Sequence, residues 1–477
     1  MNLAEVAGAT LDVGLVRRVR EAIGDLEAWV VGGAVRDAAL GRAVDDLDLA
    51  VAESPRQGAR LIAGALGGFA FELSSEFPTW RARDREGTWQ VDLAELRGGS
   101  IEADLALRDF TVGAVAVDLR SGEGIDPTGG LGDIEAGVIR AAGPESFTLD
   151  PLRLMRAARL AAQFGWSIDP ETVDLGRVAA SRAGEPAGER SLSELCLLMA
   201  TENPLTGLEA MDSLGLFDSL LPEIGALKGV VQGPNHHRDV YGHTMEVLEG
   251  VLRIESDLEA FVGDSAEDVR AVLDTELADG VTRSTALRLG ALFHDCAKPA
   301  TRSEADGFVS FRGHDVEGAA TIGAVFKRLR SSRRLADYVA DLARHHLVLG
   351  FMVTRMPLSR RDVYGYLKRT DPVSIDVTLL TVADRLGARG SGSIASEEMI
   401  AGHLELAAEM VADALDWRRT GPPAQFVPGN ELAAALGIEP GPDLGRVMEE
   451  LAAARYAGEI DSASEAVDHA RRFLDVG

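Results

Sequence analysis

The stretch from Trp29 to Ala52, WVVGGAVRDAALGRAVDDLDLAVA, constrains the fold of this chain more than any other. Its apolar start, residues 29–31, predicts a short buried strand, and residues 34–40 predict a helix. Between them, Gly32 and Gly33 predict a turn that lets backbone approach a ligand closely. The free N–H groups at the start of such a helix favour an anion, so the stretch predicts a phosphate-binding turn.

Two aspartates enter a second predicted strand, residues 47–52. Asp46 and Asp48 are two residues apart, so both side chains are expected on the same face, where they can coordinate the same metal ions. Packing does not explain aligned acids on a strand of Leu, Ala and Val. Either piece alone also fits an ordinary turn or a solvated strand entry, because short Gly and Asp motifs recur by chance. Together, within 24 residues, they favour a metal-dependent phosphate site.

Composition narrows the class of protein. A chain of 477 residues suggests about three domains. A net charge of −28, from 76 acidic and 48 basic residues, argues against a non-specific nucleic-acid coat protein but permits an enzyme with a local basic groove. Two cysteines, Cys196 and Cys296, fit a reducing compartment. The sequence shows neither a membrane span nor a signal peptide, so we expect a cytoplasmic protein without a membrane partner.

A third acid is a candidate for the same site. Residues 1–28 predict a leading helix, and further along the chain residues 79–83 and 88–93 predict a hairpin. Asp92 lies inside the apolar run of its second strand, where an unpaired carboxylate is costly. Asp92 therefore either faces Asp46 and Asp48 or forms a salt bridge with a nearby arginine, for which the candidates are Arg81, Arg83 and Arg97.

Basic residues follow these acids. Residues 104–118 predict a polar entry into a strand, with Arg108 and Asp109 before it, and the Gly-rich residues 122–132 predict a mobile connector. Asp150 is expected as an N-cap with Pro151 at the first helical position. The next arginines recur every third residue and share one helix face, which fits either a solvated face or a basic ridge beside the site; they are Arg153, Arg156 and Arg159.

These segments together resemble the bacterial tRNA nucleotidyltransferase and poly(A) polymerase family over nearly the whole chain. Six motifs occur in the family's order, namely GGAVRD with DLD, VDLAELR, DLALRDFTVGAVAVD, DPTGGLGDIEAGVIR, LDPLRLMRAAR and ERSLSEL. Three positions depart from the family pattern, since Leu107 replaces an Arg, Gly113 an Asn and Leu149 a Glu. These departures bear on nucleotide preference.

The resemblance implies a mechanism and its residues. Asp46 and Asp48 would hold two Mg²⁺ ions beside an RNA 3′-hydroxyl, with Asp92 as a further catalytic acid. Asp150 and Arg153 would read the base of incoming CTP or ATP, and tRNA would be the partner. The implied nucleotide-binding residues are Gly32, Gly33, Arg36, Asp37, Arg108, Asp109, Asp150, Arg153, Arg156 and Arg159.

A second centre is indicated by histidines, since seven of the nine lie between His236 and His346. A lone helical His usually belongs to the core, but His/Asp groups on separate helices are how a bundle builds a metal site. The set resembles the HD phosphohydrolase superfamily, and Lys298 matches its HDxxKP variant. The expected metal is Mn, Ni, Fe, Zn or Mg. The expected ligands are His243, His294, Asp295, His314, His346 and Asp384. His236, His237, His345 and Cys296 are assigned either to local packing or to contacts that support the ligands.

The sequence thus predicts an α+β protein, with a polymerase-beta-like mixed sheet followed by all-α domains. The predicted domains are a catalytic domain at 1–145, a helical base-reading and RNA-binding domain at 146–225, an HD domain at 226–395 and a helical domain at 396–477. The leading hypothesis is an enzyme that adds CMP and AMP to tRNA and carries a phosphohydrolase centre. The alternatives are a poly(A) polymerase, an A-adding or CC-adding enzyme, and an HD hydrolase with a degenerate nucleotide-binding domain. The oligomeric state is left open.

Overall fold

The computed structural model describes residues 1–44, 46–74, 78–392 and 396–476. Asp45 of the DDLD segment and the predicted domain boundary at residue 395 lie outside the described residues. The chain forms two compact units, Met1–Leu220 and Leu221–Gly477. The division into four domains stays a prediction.

A seven-stranded mixed sheet organises the first unit, in the order β3-β4-β5-β2-β1-β6-β7. Strands β2 and β5 are parallel, and the other neighbours are antiparallel. The strands are β1 (Ala28–Val31), β2 (Asp46–Val51), β3 (Phe69–Ser74), β4 (Thr79–Arg83), β5 (Gln90–Glu95), β6 (Ala116–Asp118) and β7 (Gly124–Ile125).

Twelve α-helices complete the described part of this unit, and the one at Pro55–Leu66 packs directly on the sheet. They are α1 (Leu3–Asp12), α2 (Gly14–Ile23), α3 (Gly33–Ala39), α4 (Pro55–Leu66), α5 (Ile101–Ala106), α6 (Gly130–Ala136), α7 (Ser146–Leu149), α8 (Arg153–Phe164), α9 (Pro170–Ala179), α10 (Gly188–Met199), α11 (Pro204–Ser213) and α12 (Leu216–Ser219). A short parallel pair joins β8 (Val138–Ile139) to β9 (Ser167–Ile168). The strand-turn-helix-strand prediction at residues 29–52 is confirmed.

The two faces of the sheet have different partners. Alternation along β2 buries Leu47 and Leu49 and leaves Asp46 and Asp48 on the opposite, open face. Helix α4 packs on the apolar face, and a Cβ on its Gly58 would lie 2.6 Å from a methyl of Leu93. The acids therefore face away from the α4 layer.

Three local predictions are wrong in detail. The leading helix is two helices, because Val13 takes an extended ψ of 128° and ends α1. Residues 104–118 contain part of α5 and a 3₁₀ turn, Thr111–Gly113, before the short β6. The predicted connector at 122–132 holds β7 and the start of α6, since the carboxylate of Asp126 accepts the N–H groups of Gly130 and Leu131 and so caps that helix.

Helix α8 also begins later than predicted. Regular helix starts at Arg153, and Asp150 is not its N-cap residue. The carboxylate of Asp150 instead accepts the N–H of Leu152 at 3.1 Å, inside a preceding turn in which Leu154 N–H donates to the carbonyl of Pro151. The hydrogen bonds of this turn join residues three apart, as in a 3₁₀ helix, so the regular α-helix begins only after it.

The second unit is mainly helical. Its helices are α13 (Pro222–Gly225), α14 (Val240–Ser256), α15 (Leu258–Val262), α16 (Ala266–Leu273), α17 (Arg283–Phe293), α18 (Lys298–Thr301), α19 (His314–Arg328), α20 (Arg333–His345), α21 (Val348–Met352), α22 (Arg360–Thr370), α23 (Ser374–Gly387), α24 (Glu397–Thr420), α25 (Gly429–Leu436), α26 (Pro442–Tyr456) and α27 (Ala463–Val476). Two small hairpins are β10 (Glu276–Ala278) with β11 (Val281–Thr282), and β12 (Ser303–Ala305) with β13 (Phe308–Ser310).

Helix α14 packs against α17 and α23, and α20 packs against α17 and α19. The last helices have a small apolar core of their own, which contains Leu432, Val447 and Ala470. The α+β fold class is confirmed. Among the described residues, no helix combines the length and apolar character that crossing a membrane requires.

Candidate functional site

The strand register brings the three predicted acids of the first unit onto one face of the sheet. Asp48 on β2 pairs with Asp92 on the parallel strand β5, and Asp46 pairs with Gln90. Paired residues on neighbouring strands point to the same side, and Asp46 and Asp48 are two positions apart. The prediction that Asp46 and Asp48 share a face is confirmed.

Asp92 both lies beside the other acids and forms a salt bridge, which were the two alternatives predicted for it. It lies beside Asp48, and its two carboxylate oxygens also accept hydrogen bonds of 2.7 Å from Nε and Nη2 of Arg81, its partner on β4. This fork-shaped pairing fixes the Asp92 carboxylate. Of the three arginines proposed as partners, Arg81 is the one that binds it.

The glycine turn closely approaches the acids. Gly32 has a φ of +75°, and a Cβ there would lie 3.0 Å from Oδ2 of Asp48 and 3.3 Å from Nη1 of Arg108. Gly33 begins α3, and a Cβ on it would lie 3.2 Å from Nη2 of Arg36. Glycine at position 32 therefore meets both a conformational and a steric requirement.

Arg36 is held in place from two sides. Its Nε and Nη2 donate to the carboxylate of Asp37 at 2.9 and 3.0 Å. Its guanidinium also lies over the ring of Phe164, 4.6 Å from the centroid. A guanidinium oriented by a carboxylate and a ring keeps a defined direction for a phosphate oxygen.

Arg108 and Asp109 are each held by ion pairs beside the acids. Arg108 donates from Nη2 to the buried carboxylate of Asp104 at 3.0 Å. Asp109 lies 3.0 Å from Nη2 of Arg156. Burial by itself raises the pKa of Asp109, but the positive charge of Arg156 and the N–H of Phe110 outweigh it, so the pKa is lowered. Asp109 is therefore ionised at neutral pH.

The three arginines of α8 make separate contacts. Arg153 donates to the backbone carbonyls of Leu107 and Arg108 at 2.9 and 3.0 Å, Arg156 binds Asp109, and Arg159 donates to Glu194 at 2.6 Å. Asp150, which precedes this helix, accepts from Nη2 of Arg190 at 3.1 Å. The face is thus a set of positioned cations, and a solvated ridge does not describe it.

Two cavities meet at these residues. One of about 300 Å³ and one of about 340 Å³ share four lining residues, which are Asp48, Arg108, Asp109 and Arg156. The first cavity also contains Asp92, Asp150 and Arg153, and the second contains Gly32, Gly33, Arg36, Asp46 and Arg159. Every predicted residue of this site except Asp37 lines one of them. Thr79 and Arg97 also line the first cavity; the sequence offered Arg97 only as a salt-bridge partner.

The donor set at this site fits a divalent cation. Asp48 is reached by solvent through the cavities but is crowded by protein atoms, and this partial burial raises its pKa. The like charges of Asp92 and Asp46 raise it further, whereas Arg108 and Arg156 oppose the rise. Carboxylates that disfavour one another's charge are stabilised when a cation lies between them, and oxygen ligands suit Mg²⁺.

The second predicted centre comes together in the second unit. Two groups of side chains have ligand atoms within 4.8 Å of one another, namely His243 with His294 and Asp384, and Asp295 with His314 and His346. We call these six residues the His/Asp cluster. They come from five segments of the chain, and five of the six are buried. All six predicted ligands converge.

Three histidines of the cluster are oriented in the same way. The Nδ1 atoms of His294, His314 and His346 lie 2.6 to 2.8 Å from the carbonyl oxygen three residues earlier in the chain. A ring nitrogen next to a carbonyl must donate, so in the neutral ring Nε2 presents its lone pair. Hydrogen bonding of one ring nitrogen while the other faces a metal is typical of zinc and related centres.

The cluster also contains buried polar atoms that fit a bound cation. Nε2 of His294 and both carboxylate oxygens of Asp295 are buried without a properly aligned hydrogen bond, although Nε2 of His294 and Nζ of Lys298 lie 3.1 and 2.7 Å from Oδ2 of Asp295. Burial lowers the pKa of His346 to about 4, which keeps it neutral. Buried nitrogen and carboxylate atoms with unused lone pairs are what a transition metal requires.

His236, which the sequence assigned either to local packing or to contacts that support the ligands, lies beside the cluster. Its ring centroid lies 4.5 Å from that of His243, and it lines the adjoining cavity. Burial lowers its pKa to about 3. Neither His237, which pairs with Glu246 at 3.1 Å, nor Cys296 belongs to the two ligand groups of the cluster. Burial raises the pKa of Cys296 to about 12.

Comparison with known proteins connects the two centres to families. Residues 28–140 match the Poly A polymerase head domain, 165–227 match the probable RNA and SrmB- binding site of polymerase A, and 240–389 match the HD domain. An A-adding tRNA nucleotidyltransferase of Deinococcus radiodurans is 33% identical over 456 residues, which cover 94% of this chain and 96% of that protein. The chain belongs to the tRNA nucleotidyltransferase and poly(A) polymerase family. It is therefore a nucleotidyltransferase.

Other members of the family extend the comparison. A CC-adding tRNA nucleotidyltransferase of Thermus thermophilus is 31% identical over 457 residues, which cover 94% of this chain and 93% of that protein. A CCA-adding enzyme solved with ATP has the same fold, with a TM-score of 0.67 and 20% identity over 99% of both chains. A Thermotoga maritima CCA-adding enzyme complexed with tRNA gives a TM-score of 0.64 at 21% identity, again over 99% of both chains.

Proposed function

We propose that this nucleotidyltransferase adds CMP and AMP, from CTP and ATP, to the 3′ end of tRNA. The observation that carries the proposal is the pairing of Asp48 with Asp92 beside Asp46, on a sheet face that opens into cavities lined by arginines. A phosphoryl-transfer enzyme uses carboxylates to hold metal ions and cationic side chains to bind the triphosphate. Similarity along nearly the full length to tRNA nucleotidyltransferases supports the choice of tRNA.

In this proposal, Asp46 and Asp48 hold the divalent metal, which we assign as Mg²⁺. The metal supplies charge neutralisation and a lower pKa for the attacking hydroxyl when it is bound. Asp92, fixed by Arg81, contributes negative charge next to Asp48. Gly32 has no Cβ beside the Asp48 carboxylate, which leaves room for a phosphate oxygen to approach.

We assign the triphosphate to the arginines of the two cavities. Arg36, oriented by Asp37, and Arg108, held by Asp104, present planar forks that match phosphate oxygens. Arg156 and Asp109 form an ion pair on the wall shared by both cavities, where Asp109 can accept a hydrogen bond from a ribose hydroxyl. Arg159 lines the second cavity and extends the same positive wall.

Asp150 and Arg153 are the proposed base-reading pair. Both line the first cavity, and an Asp acceptor with an Arg donor complements groups that cytosine and adenine share. Contacts of Arg153 with two backbone carbonyls pre-organise it for one orientation. Leu149, where the family usually has Glu, is 55% exposed next to this pair and contributes no charge to it.

A narrower specificity is a second candidate. Three relatives that each match 93% or more of this chain differ in name, since one is named A-adding and two are named CC-adding. Incubation with tRNA that lacks its last three nucleotides, with CTP and ATP both present, followed by sequencing of the product ends, separates the candidates. A CCA end supports the proposal. Product ends that stop at CC would indicate a CC-adding enzyme. Extension only of a second tRNA substrate that already ends in CC would indicate an A-adding enzyme, and a long A tail would indicate a poly(A) polymerase.

We also propose that the His/Asp cluster is a metal-dependent phosphohydrolase centre that acts on phosphate esters such as those at RNA ends. Support comes from the convergence of six ligands, the fixed ring orientations and the match to the HD domain. Hydrolysis of a 2′,3′-cyclic nucleotide and of a phosphomonoester, assayed after loading with Mn²⁺, Ni²⁺, Fe²⁺, Zn²⁺ or Mg²⁺ in turn, tests the activity and selects the metal. No hydrolysis with any of these ions would overturn it.

The alternative of a hydrolase with a degenerate nucleotide-binding domain predicts a different result in the nucleotide-addition assay. Under this alternative, phosphate esters are cleaved but no labelled nucleotide enters tRNA. We also propose a cytoplasmic location, supported by a content of two cysteines, which is too low for a disulfide framework. Fractionation of cells with an antibody to the native chain tests this location.

A further inference from the structure

A cavity of about 550 Å³ adjoins the His/Asp cluster and has a basic wall. Asp295, His314, His346 and Asp384 of the cluster line it, and we call it the cluster cavity. The remaining wall includes three cationic side chains, Lys298, Arg312 and Arg385, together with His403 and the acidic Asp315. A volume of this size accepts a small ligand, and the cationic side chains favour an anionic one.

His403 is the unexpected member of this wall. It belongs to α24, beyond residues 240–389 that match the HD domain, and it is 2% exposed. A histidine this deeply buried needs partners for its ring nitrogens. Both nitrogens have one, because Nε2 lies 2.9 Å from Oγ1 of Thr381, and Nδ1 lies 3.4 Å from Nε of Arg385.

The direction of each hydrogen bond follows from chemistry. The guanidinium of Arg385 can only donate, so Nδ1 of His403 accepts. Nε2 of the neutral ring then carries the hydrogen and donates to Thr381, whose hydroxyl donates in turn to the carbonyl of Thr378 at 2.9 Å. The series therefore runs from Arg385 through His403 and Thr381 to the backbone of α23.

The series orients Arg385 through a ring that brings no negative charge to it. Burial, with the nearby charge of Arg385, lowers the pKa of His403 to about 4, so the ring is neutral at physiological pH. A neutral ring that accepts one hydrogen bond fixes the direction of a guanidinium and leaves its formal charge unchanged. Arg385 directly follows the cluster residue Asp384 and lines the same cavity.

We infer that the cluster cavity is a phosphate-binding site in which Arg385, positioned by His403 of α24, binds the phosphate group of the ligand. The ligand class is a phosphate ester or free phosphate held next to the His/Asp cluster. The inference deepens the proposed phosphohydrolase function, on which its catalytic relevance rests. Arg385 contacts the ligand, and His403 acts through Arg385 as a positioning residue.

Two substitutions of His403 separate positioning from packing. In His403→Asn the amide oxygen can replace Nδ1 as the acceptor for Arg385, whereas in His403→Gln the amide can replace only Nε2 and its bond to Thr381. Binding of inorganic phosphate to the metal-loaded full chain is measured by calorimetry. We expect the Kd to stay within about twofold for His403→Asn and to rise roughly three- to tenfold for His403→Gln, because one charge-assisted hydrogen bond is misdirected.

Arg385→Gln tests the ligand-binding group itself. We expect a rise in the phosphate Kd of roughly tenfold or more, with unchanged metal content. The double variant with His403→Gln should bind no more weakly than Arg385→Gln alone, because coupled residues are not additive. Arg389→Gln, an exposed arginine just beyond the end of α23, is the matched control and should leave the Kd unchanged.

The outcomes distinguish this inference from the proposed hydrolase function. An equal loss of affinity in the Asn and Gln variants would show a packing role for His403, and an unchanged Kd in Arg385→Gln would remove Arg385 from the site; either result overturns the inference. Phosphate binding that depends on Arg385 in a chain that cleaves no ester would support the binding site while refuting the hydrolase. With p-nitrophenyl phosphate as substrate, Arg385→Gln should raise KM at least about tenfold and lower kcat by less than threefold.

Discussion

The Nε2 atoms of His314 and His346 lie 3.3 Å apart, and both rings place Nδ1 against a backbone carbonyl. Two neutral rings arranged in this way direct two lone pairs at each other. Such an approach is unfavourable unless a proton or a metal ion lies between the nitrogens. Nε2 of His314 also lies 3.3 Å from Asp295, which adds a carboxylate oxygen to the same point.

This arrangement predicts two metal ions in the His/Asp cluster, one for each group of three ligands. Native mass spectrometry or elemental analysis should find two ions bound in the second unit of the wild-type chain. His346→Gln should lose one of them and keep the other. His345→Gln, which changes the neighbouring histidine outside the cluster, is the control and should keep both. Equal loss from both variants would contradict the assignment of ligands.

Removal of the metal should destabilise the chain. Ions that bind only the folded state at about a thousand times their Kd add roughly 4 kcal/mol to its stability. A chelator should therefore lower the unfolding temperature of the second unit, and a metal in excess should restore it. The same treatment of His346→Gln should give a smaller change. Identical unfolding curves with and without the chelator would refute a resident metal.

The two centres should be separable by mutation. Asp48→Asn keeps the shape of the side chain but removes its charge from the sheet face shared with Asp46 and Asp92. We expect nucleotide addition to tRNA to fall by about a thousandfold or more, a loss similar to that of other essential catalytic groups. Phosphate-ester cleavage by the His/Asp cluster should be unchanged. A parallel loss of both activities would refute two independent centres.

Gly32 offers a sharper test of the same site. Alanine at a positive φ is strained wherever it occurs, so the strain alone does not report on function. Gly41 has a φ of +68° with nothing within 4 Å of an added Cβ, whereas a Cβ at Gly32 meets Asp48 at 3.0 Å. We expect Gly32→Ala to lower transfer about a hundredfold and Gly41→Ala to lower it by less than threefold at matched stability. Equal effects would mean that strain alone explains the loss.

The sequence predicted local structure best where several signals agreed. The segment from Trp29 to Ala52 combined apolar runs, a glycine pair and alternating acids, and its strands and helix lie within one or two residues of the predicted bounds. Val13 carried no such signal, so the end of α1 was missed. The convergence of the His/Asp cluster was predictable because adjacent His294 and Asp295, with later His and Asp residues on helices, leave few other roles for buried charge.

Contacts between distant segments were not predictable. Arg153 donates to the backbone carbonyls of Leu107 and Arg108. Because almost any residue can supply a backbone carbonyl, the residue types at these positions do not reveal the contact. His403 was missed for a similar reason, because it is a single histidine on a helix whose packing against α23 cannot be read from spacing. For Asp92 the sequence left two alternatives, a position beside the other acids or a salt bridge with an arginine. The structure shows both, because Asp92 pairs with Asp48 on one neighbouring strand and binds Arg81 on the other.

The packing of α4 on the sheet gives a final prediction that is independent of function. Gly58 and Gly64 both lie inside this helix. A Cβ at Gly58 would lie 2.6 Å from a methyl of Leu93 and 3.0 Å from one of Leu26, whereas a Cβ at Gly64 has nothing within 4 Å. Leu93 is fully buried on a central strand and has little freedom to move.

Gly58→Ala should therefore lower the free energy of unfolding by about 1 to 3 kcal/mol, as overpacking in a dense core does. Gly64→Ala should raise it by roughly 0.5 to 1 kcal/mol, because alanine favours an exposed helical position over glycine. Chemical denaturation of the two variants and the wild type measures both values. If both substitutions stabilised the chain, α4 would lie further from β5 than the contact of Gly58 with Leu93 requires.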